Sequence, residues 1–376
     1  MSFLFSRDSR VSLLSAITLA TFLSACGGSG DSSSPSPEPT PEPTPEPQPS
    51  GTWSAGDLHV HTYQSDDAQV SLESVLDDAF TRYDLDWLTI SNHLRTSYRD
   101  HDGAELGESI PFYQALIDYE VPYLKQALDQ DRYPGALMYS SFEWDMPTHD
   151  HVNVGIGMDD PMSEANLQAV AEFEYLFTTR DASLFDPALV ESLGDQPRAN
   201  TTHEDALTAL RWLRDNHPDS YMLLNHPSRY MGKYTIAQIR QMHDLAPDQF
   251  FAIEGMVGNQ MEPDRGGYAE AYTEENLGSR TYGGVDYLVA KLGGTWDALL
   301  GEGRRIWNVA NSDYHFTTAQ GRYSSGYAPG EYAKTYVWKD GEDASALLDG
   351  LRGGRLFGVF GDLIDALEFQ AESTEG

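Results

Sequence analysis

The stretch Gly56-Asp57-Leu58-His59-Val60-His61-Thr62 reads as a short strand with two histidines two positions apart. Successive side chains on a strand point to opposite faces, so His59 and His61 share one face. Two imidazoles side by side make half of a metal site. Groups of the same kind recur at or near the ends of later apolar runs. Asp66 falls in the loop after the first strand, and His93 follows Leu88-Thr89-Ile90-Ser91. Glu143 follows Met138–Phe142, and His151 heads Val152-Asn153-Val154-Gly155. His226 follows Tyr221–Asn225, and Asp313 and His315 follow Trp307–Asn311. Nine metal-competent side chains therefore come from six separate segments. Crowded together, they would repel or stay unsatisfied without cations. A mixed imidazole and carboxylate set suits Zn, Fe or Mn, and the residue types do not choose among them.

The elements that must position these groups alternate. The pattern predicts strands over Asp57–His61, Trp87–Ser91, Ala136–Phe142, His151–Gly155, Tyr221–Asn225, Phe251–Met256, Ile306–Asn311 and Thr335–Trp338. Helices are predicted over Ser71–Tyr83, around Tyr113–Gln130, and over His203–Asn216 and Ile236–Leu245. Ser71 suits an N-cap, and Thr201 or Thr202 with Glu204 or Asp205 suits a capping box. Residues from about 161 to 200 read as an irregular insertion. Alternating β and α implies a mainly parallel sheet. About seven such strands favour a closed or distorted barrel over an open sheet. In parallel α/β folds the C-terminal strand ends converge on one face, where sites are built. Glu254 also ends a predicted strand, in a place to support that site from behind.

Lys and Arg number 24 against 59 Asp and Glu, a formal net charge of −35, which argues against nucleic-acid binding through a basic surface. The acids are spread along the chain, as on a soluble acidic surface. The single cysteine, Cys26, excludes a disulfide framework and any cysteine-ligated zinc or iron–sulfur site. Any metal must be held by His, Asp and Glu.

As a set, Asp57-Leu58-His59-Val60-His61-Thr62 with Ser65-Asp66, Ser91-Asn92-His93, Glu143, His151-Val152-Asn153-Val154-Gly155, Asn225-His226-Pro227 and Asn311-Ser312-Asp313-Tyr314-His315 resembles the polymerase and histidinol phosphatase (PHP) family of metal-dependent phosphoesterases. The resemblance spans about residues 56 to 315. It implies an α/β fold, a distorted (β/α)7 TIM-like barrel, with two or three divalent metal ions, Mn, Fe or Zn. It implies metal ligands at His59, His61, Asp66, His93, Glu143, His151, His226, Asp313 and His315, with Glu143 bridging two metals. His149 lies close enough to compete with His151, which is favoured. Family members usually carry Asp where this chain has Asn92, which puts the orientation of His93 in question.

The implied reaction is hydrolysis of phosphate mono- or diesters. Two metals ~3.5–4 Å apart acidify a shared water and clamp an in-line displacement; a metal-bound hydroxide would attack phosphorus. Phosphoryl transfer also wants cations for the substrate oxygens. Arg95 and Arg229 lie in suitable loops for binding substrate, or for surface ion pairs. Two rivals stand beside this reading. One is an amidohydrolase-type metal-dependent hydrolase of non-phosphate substrates, favoured by a site with few cationic side chains. The other is a non-catalytic metal-binding surface lipoprotein.

Residues 1–25 read as a signal peptide, with Arg7 and Arg10 before an apolar run too short for a comfortable membrane span. Leu23-Ser24-Ala25-Cys26 resembles the lipobox of bacterial lipoproteins, implying lipidation of Cys26. Gly27 after it favours the outer membrane of a Gram-negative cell envelope. Residues 26–50, with Pro alternating with Ser, Glu, Thr and Gln, read as a semi-rigid disordered tether. The hydrolase domain is expected over 51–376.

Overall fold

The computed structural model describes residues 51–257, 278, 281–319, 322–324 and 326–368. The expected signal peptide, Cys26 and the tether lie outside the described residues, as do residues 258–277. The chain divides into two units, Met1–Gln48 and Pro49–Gly376, and the described residues all belong to the second. Among the described residues, no helix is long and apolar enough to cross a membrane.

Ten strands build most of two sheets. They are β1 (Thr52–Asp57), β2 (Trp87–Ile90), β3 (Leu137–Ser140), β4 (Phe142–Asp145), β5 (His151–Gly155), β6 (Tyr221–Leu224), β7 (Ala252–Val257), β8 (Trp307–Asn311), β9 (Ala333–Lys339) and β10 (Leu356–Phe360). The first sheet has the order β10-β9-β1-β2-β3. The second runs β4-β5-β6-β7, with β8 also on β7 and two short strands, Thr281–Tyr282 and Val285–Asp286, beyond it. Continuous apolar runs such as Trp87–Ile90 and Tyr221–Leu224 are buried on both faces, as expected of strands covered on both sides.

The mainly parallel expectation holds for β1-β2-β3 and β6-β7-β8. It fails at β5, which is antiparallel to both β4 and β6, and at β9 and β10. Only five residues separate Asp145 from His151, too few for a helical crossover, so β4 and β5 form a hairpin. No continuous ladder closes the sheets into a barrel among the described residues. They meet at two isolated parallel bridges, Val60 with Tyr314 and His93 with Glu143. Val60, His93 and Tyr314 lie just past the ends of β1, β2 and β8, and Glu143 lies within β4. Ser141 alone separates β3 from β4, so the chain passes directly from one sheet into the other.

The helices start where polar caps satisfy their first amides. Ser71 caps the helix at Leu72, and Thr202 forms a capping box with Asp205. Residues 161–200 are irregular only in part, since Glu164–Phe177 and Pro187–Leu193 are α-helices. Helix Glu164–Phe177 buries Phe173 and Phe177 around Trp144, which donates Nε1 to Phe177 O at 3.1 Å. Its apolar residues occupy more than one face, which hides the helical period that one-sided burial produces.

Gly56 brings β1 against β2. A Cβ there would collide with the Trp87 ring and its carbonyl oxygen. Gly56→Ala should therefore cost roughly 1–3 kcal/mol, typical of overpacking. The check is a lowered urea midpoint by circular dichroism; an unchanged midpoint would show that the strands relax apart freely.

Candidate metal centre

Glu143 stands in the middle of β4 and is 1% exposed. Its Oε1 lies 2.9 Å from His151 Nδ1, 3.2 Å from His59 Nε2 and 3.2 Å from His226 Nε2. Its Oε2 lies 2.9 Å from His93 Nδ1 and 3.4 Å from His61 Nε2. On the far side, Asp313 Oδ1 is 3.1 Å from His59 Nε2, 3.4 Å from His61 Nε2 and 3.3 Å from His315 Nδ1. The His61 and His315 rings stack at 3.8 Å between centroids. Eight of the nine expected groups thus share one buried cluster.

The ninth behaves differently. Asp66 is exposed and takes Arg95 Nη1 at 3.1 Å. Its neighbour Asp67 reaches His93 Nε2 at 3.3 Å and His315 Nε2 at 3.4 Å. Both aspartates lie close enough to His93 to share an ion with it. His149 points away, with Nδ1 on Lys233 O at 2.6 Å and Nε2 on His203 Nδ1 at 2.8 Å. Of the two histidines before β5, His151 is the one in the cluster.

Backbone geometry turns two of these groups inward. Among the described non-glycine residues with positive φ are His226, at 26°, and Asp313, at 49°. Such conformations cost of order 1–3 kcal/mol and persist where the surroundings over-determine them. At His226 the surroundings are visible. Its backbone N–H donates to Glu254 Oε2 at 2.8 Å, and Glu254 Oε1 meets His59 Nδ1 at 2.9 Å and Asn311 Nδ2 at 3.0 Å. Glu254, wholly buried in β7, therefore ties three strand ends together. Asp57 does similar work, accepting the backbone N–H of His59 and of Ser312, each at 2.9 Å. Burial pushes its carboxyl up to about 7.

Arg95 and Arg229 are both occupied. Arg95 grips Asp145 with Nε at 2.8 Å and Nη2 at 2.7 Å. Arg229 grips Asp150 at 3.1 and 2.6 Å. Asp145 in turn lies 3.0 Å from His151 Nε2, and Asp150 lies 3.4 Å from His226 Nδ1. The arginines thus anchor carboxylates that orient cluster imidazoles, as partners behind metal-binding histidines do. Asp145 and His151 are paired across the β4–β5 hairpin, so the signal for Asp145 is its place two residues after Glu143, on the same strand face. A cavity of about 530 Å³ opens above, lined by Asp67, Arg95, Asp150, His151, Arg229, Tyr230 and Lys233. Among the described residues Lys233 makes no ion pair.

The electrostatics are those of a site short of positive charge. Burial disfavours charge on His59, yet Asp313, Glu143 and Glu254 outweigh it and hold its pKa well above the usual range. Burial and the neighbouring His315 push His61 the other way. Their Nε2 atoms are only 3.0 Å apart, so one ring must present a bare lone pair. His93 Nδ1 and Glu143 Oε2 are buried and close, yet neither makes a hydrogen bond of sound geometry. Orphaned buried acceptors and donors of this kind, among nitrogen and oxygen ligands, fit divalent cations. The possible groupings include His59 with His61 and Glu143, His59 with His226 and Asp313, His93 with Glu143 and His151, and His61 with His93 and His315.

No protein-family model and no curated protein matches the chain. Several solved structures resemble it. One is a two-domain protein from Bacteroides vulgatus described as containing a PHP-like metal-dependent phosphoesterase. It is 13% identical at a TM-score of 0.43, with 83% of this chain and 66% of that one covered. Endonuclease Q, solved with a duplex bearing an abasic lesion, is 11% identical at 0.42, with 80% and 57% covered. An amidohydrolase from Chromobacterium violaceum is 14% identical at 0.30, with 69% and 87% covered. The chain thus spans less than two thirds of the first two. At these scores the likeness has no bearing on the chemistry.

Glu254→Ala should weaken metal binding roughly 10–100-fold, the usual cost of losing a partner behind a ligand. Glu254→Gln should lose less, because its amide oxygen can still accept from one of these donors. Titration with Zn²⁺ followed by calorimetry is the check; equal affinity in all three proteins would show that Glu254 does not orient the ligands.

Proposed function

We propose that the chain is a metal-dependent phosphoesterase acting on phosphate mono- or diesters. The observation that carries this is the buried Glu143 carboxylate ringed by His59, His61, His93, His151 and His226, with Asp313 opposite. Those residues and His315, with Asp67 or Asp66 at the rim, would hold two or three divalent ions. Bound there, the ions would acidify a water and offset the charge that builds on a phosphoryl group. We read the two sheets as halves of a distorted seven-stranded barrel, joined where Val60 meets Tyr314 and His93 meets Glu143.

The chain's own residues would do the rest. Asp145 and Asp150 keep His151 and His226 aimed inward, and the arginines hold those carboxylates in place. Of the cations on the cavity wall, Arg95 and Arg229 are balanced by Asp145 and Asp150, which leaves the Lys233 ammonium to favour phosphate over a neutral carbonyl substrate. With both arginines engaged by aspartates, Lys233 is the group we assign to the substrate's phosphate oxygens. We also propose that residues 1–50 export and tether the enzyme in the cell envelope, through lipid on Cys26 in the outer membrane; the sequence of that segment supports this.

The purified protein should release phosphate or alcohol from aryl phosphate esters with Mn²⁺, Fe²⁺ or Zn²⁺, and a chelator should abolish it. Lys233→Ala should raise KM by roughly tenfold, the worth of one hydrogen bond to a charged group, with a smaller change in kcat. Failure to cleave any mono- or diester with all three metals would sink the reading.

A further inference from the structure

Behind His61 lies a carboxylate that touches none of the metal-centre groups. Glu120 ends the wide helical turn Leu116–Glu120 and is 1% exposed. Its Oε2 accepts Asn92 Nδ2 at 2.8 Å. Asn92 Oδ1 accepts the Thr62 backbone N–H at 2.8 Å and Ser65 Oγ at 2.9 Å. Ser65 Oγ accepts the backbone N–H of His93 at 3.0 Å and lies 2.9 Å from His61 Nδ1.

The protons in this chain can be counted. A hydroxyl has one hydrogen and two lone pairs. Ser65 gives its hydrogen to Asn92, so toward His61 it can only accept, and the His61 proton must sit on Nδ1. His61 Nε2 is then bare, facing Glu143 and Asp313. The direction depends on the Asn92 amide. A flipped amide would set its NH₂ against the Thr62 N–H and its oxygen against the Glu120 carboxylate. We propose that Glu120 is a positioning residue: through Asn92 and Ser65 it selects the His61 tautomer that can bind a cation through Nε2. The Asn92 side chain makes no hydrogen bond to the His93 imidazole and reaches that residue only through Ser65 Oγ on its backbone N–H, and an aspartate in its place would put two buried carboxylates in contact. Asn92 and Glu120 therefore act as an amide–acid pair whose partners can be exchanged but not duplicated. Only the purpose of the tautomer rests on the phosphoesterase reading; the tautomer exists without metal.

The test compares the protein with Glu120→Ala, Asn92→Asp and the exchanged pair Asn92→Asp/Glu120→Gln. Histidine ¹⁵N spectra of metal-free protein report the His61 tautomer, and Zn²⁺ titration reports affinity. The starting protein should show His61 protonated on Nδ1 alone. Glu120→Ala should mix the tautomers, and Asn92→Asp should weaken Zn²⁺ binding by roughly tenfold or more. The exchanged pair should restore both the single tautomer and most of the affinity, which a merely structural role for Glu120 does not predict. The proposal is overturned if His61 carries its proton on Nε2, if Glu120→Ala keeps one tautomer, or if the exchanged pair is no better than Asn92→Asp alone. Should Glu120→Ala fail to fold, the exchanged pair decides. Absence of Zn²⁺ binding in the starting protein would count against the phosphoesterase, while the spectra would still judge Glu120.

Discussion

A carboxylate buried at the meeting point of two sheets governs this molecule. Glu143 is almost fully removed from water, and both its oxygens face imidazole nitrogens. Isolated in an apolar interior such a charge would be prohibitive, and it survives only if positive charge is gathered around it. Five imidazoles supply the ring, but a neutral imidazole offers one proton and one lone pair. Several of the lone pairs must face one another or the carboxylates. A cation in their midst converts that conflict into coordination.

The rest of the architecture holds those imidazoles at the right angles. Strand ends deliver them, and two single bridges bring the ends of separate sheets within reach. The left-handed conformations at His226 and Asp313 aim two of the cluster groups inward, and the nearby carboxylates of Glu254 and Asp57 fasten the adjoining segments. Outside the imidazoles stands a second ring of acids, Asp145 and Asp150, each fixed by a bidentate arginine. A chain with such an excess of acids thus commits two of its few cations to orientation.

The histidine pattern was legible because it rests on local rules. A two-residue spacing sets His59 and His61 on one face, and apolar runs mark where strands end. What was not legible depends on contacts between distant segments. Asp66 and Asp67 are neighbours in a loop, and only the path of that loop decides which one faces His93. Asp145 owes its place to the antiparallel hairpin of β4 and β5, a pairing that a mainly parallel sheet does not contain. The arginines looked available because nothing in their own segments announces Asp145 or Asp150 as partners. The part played by Asn92 is not legible in its own segment because its partner, Glu120, lies 28 positions away. The helix at Glu164–Phe177 carries little amphipathic signal in its sequence because it is buried on most sides.

Anomalous diffraction from crystals grown with Mn²⁺ or Zn²⁺ tests the central claim most directly. The account predicts at least two strong peaks inside the ring, one of them shared by Glu143 and each bounded by histidines named above. A well-ordered map in which the Glu143 carboxylate is met only by protonated imidazoles, with no anomalous signal near it, would contradict the account.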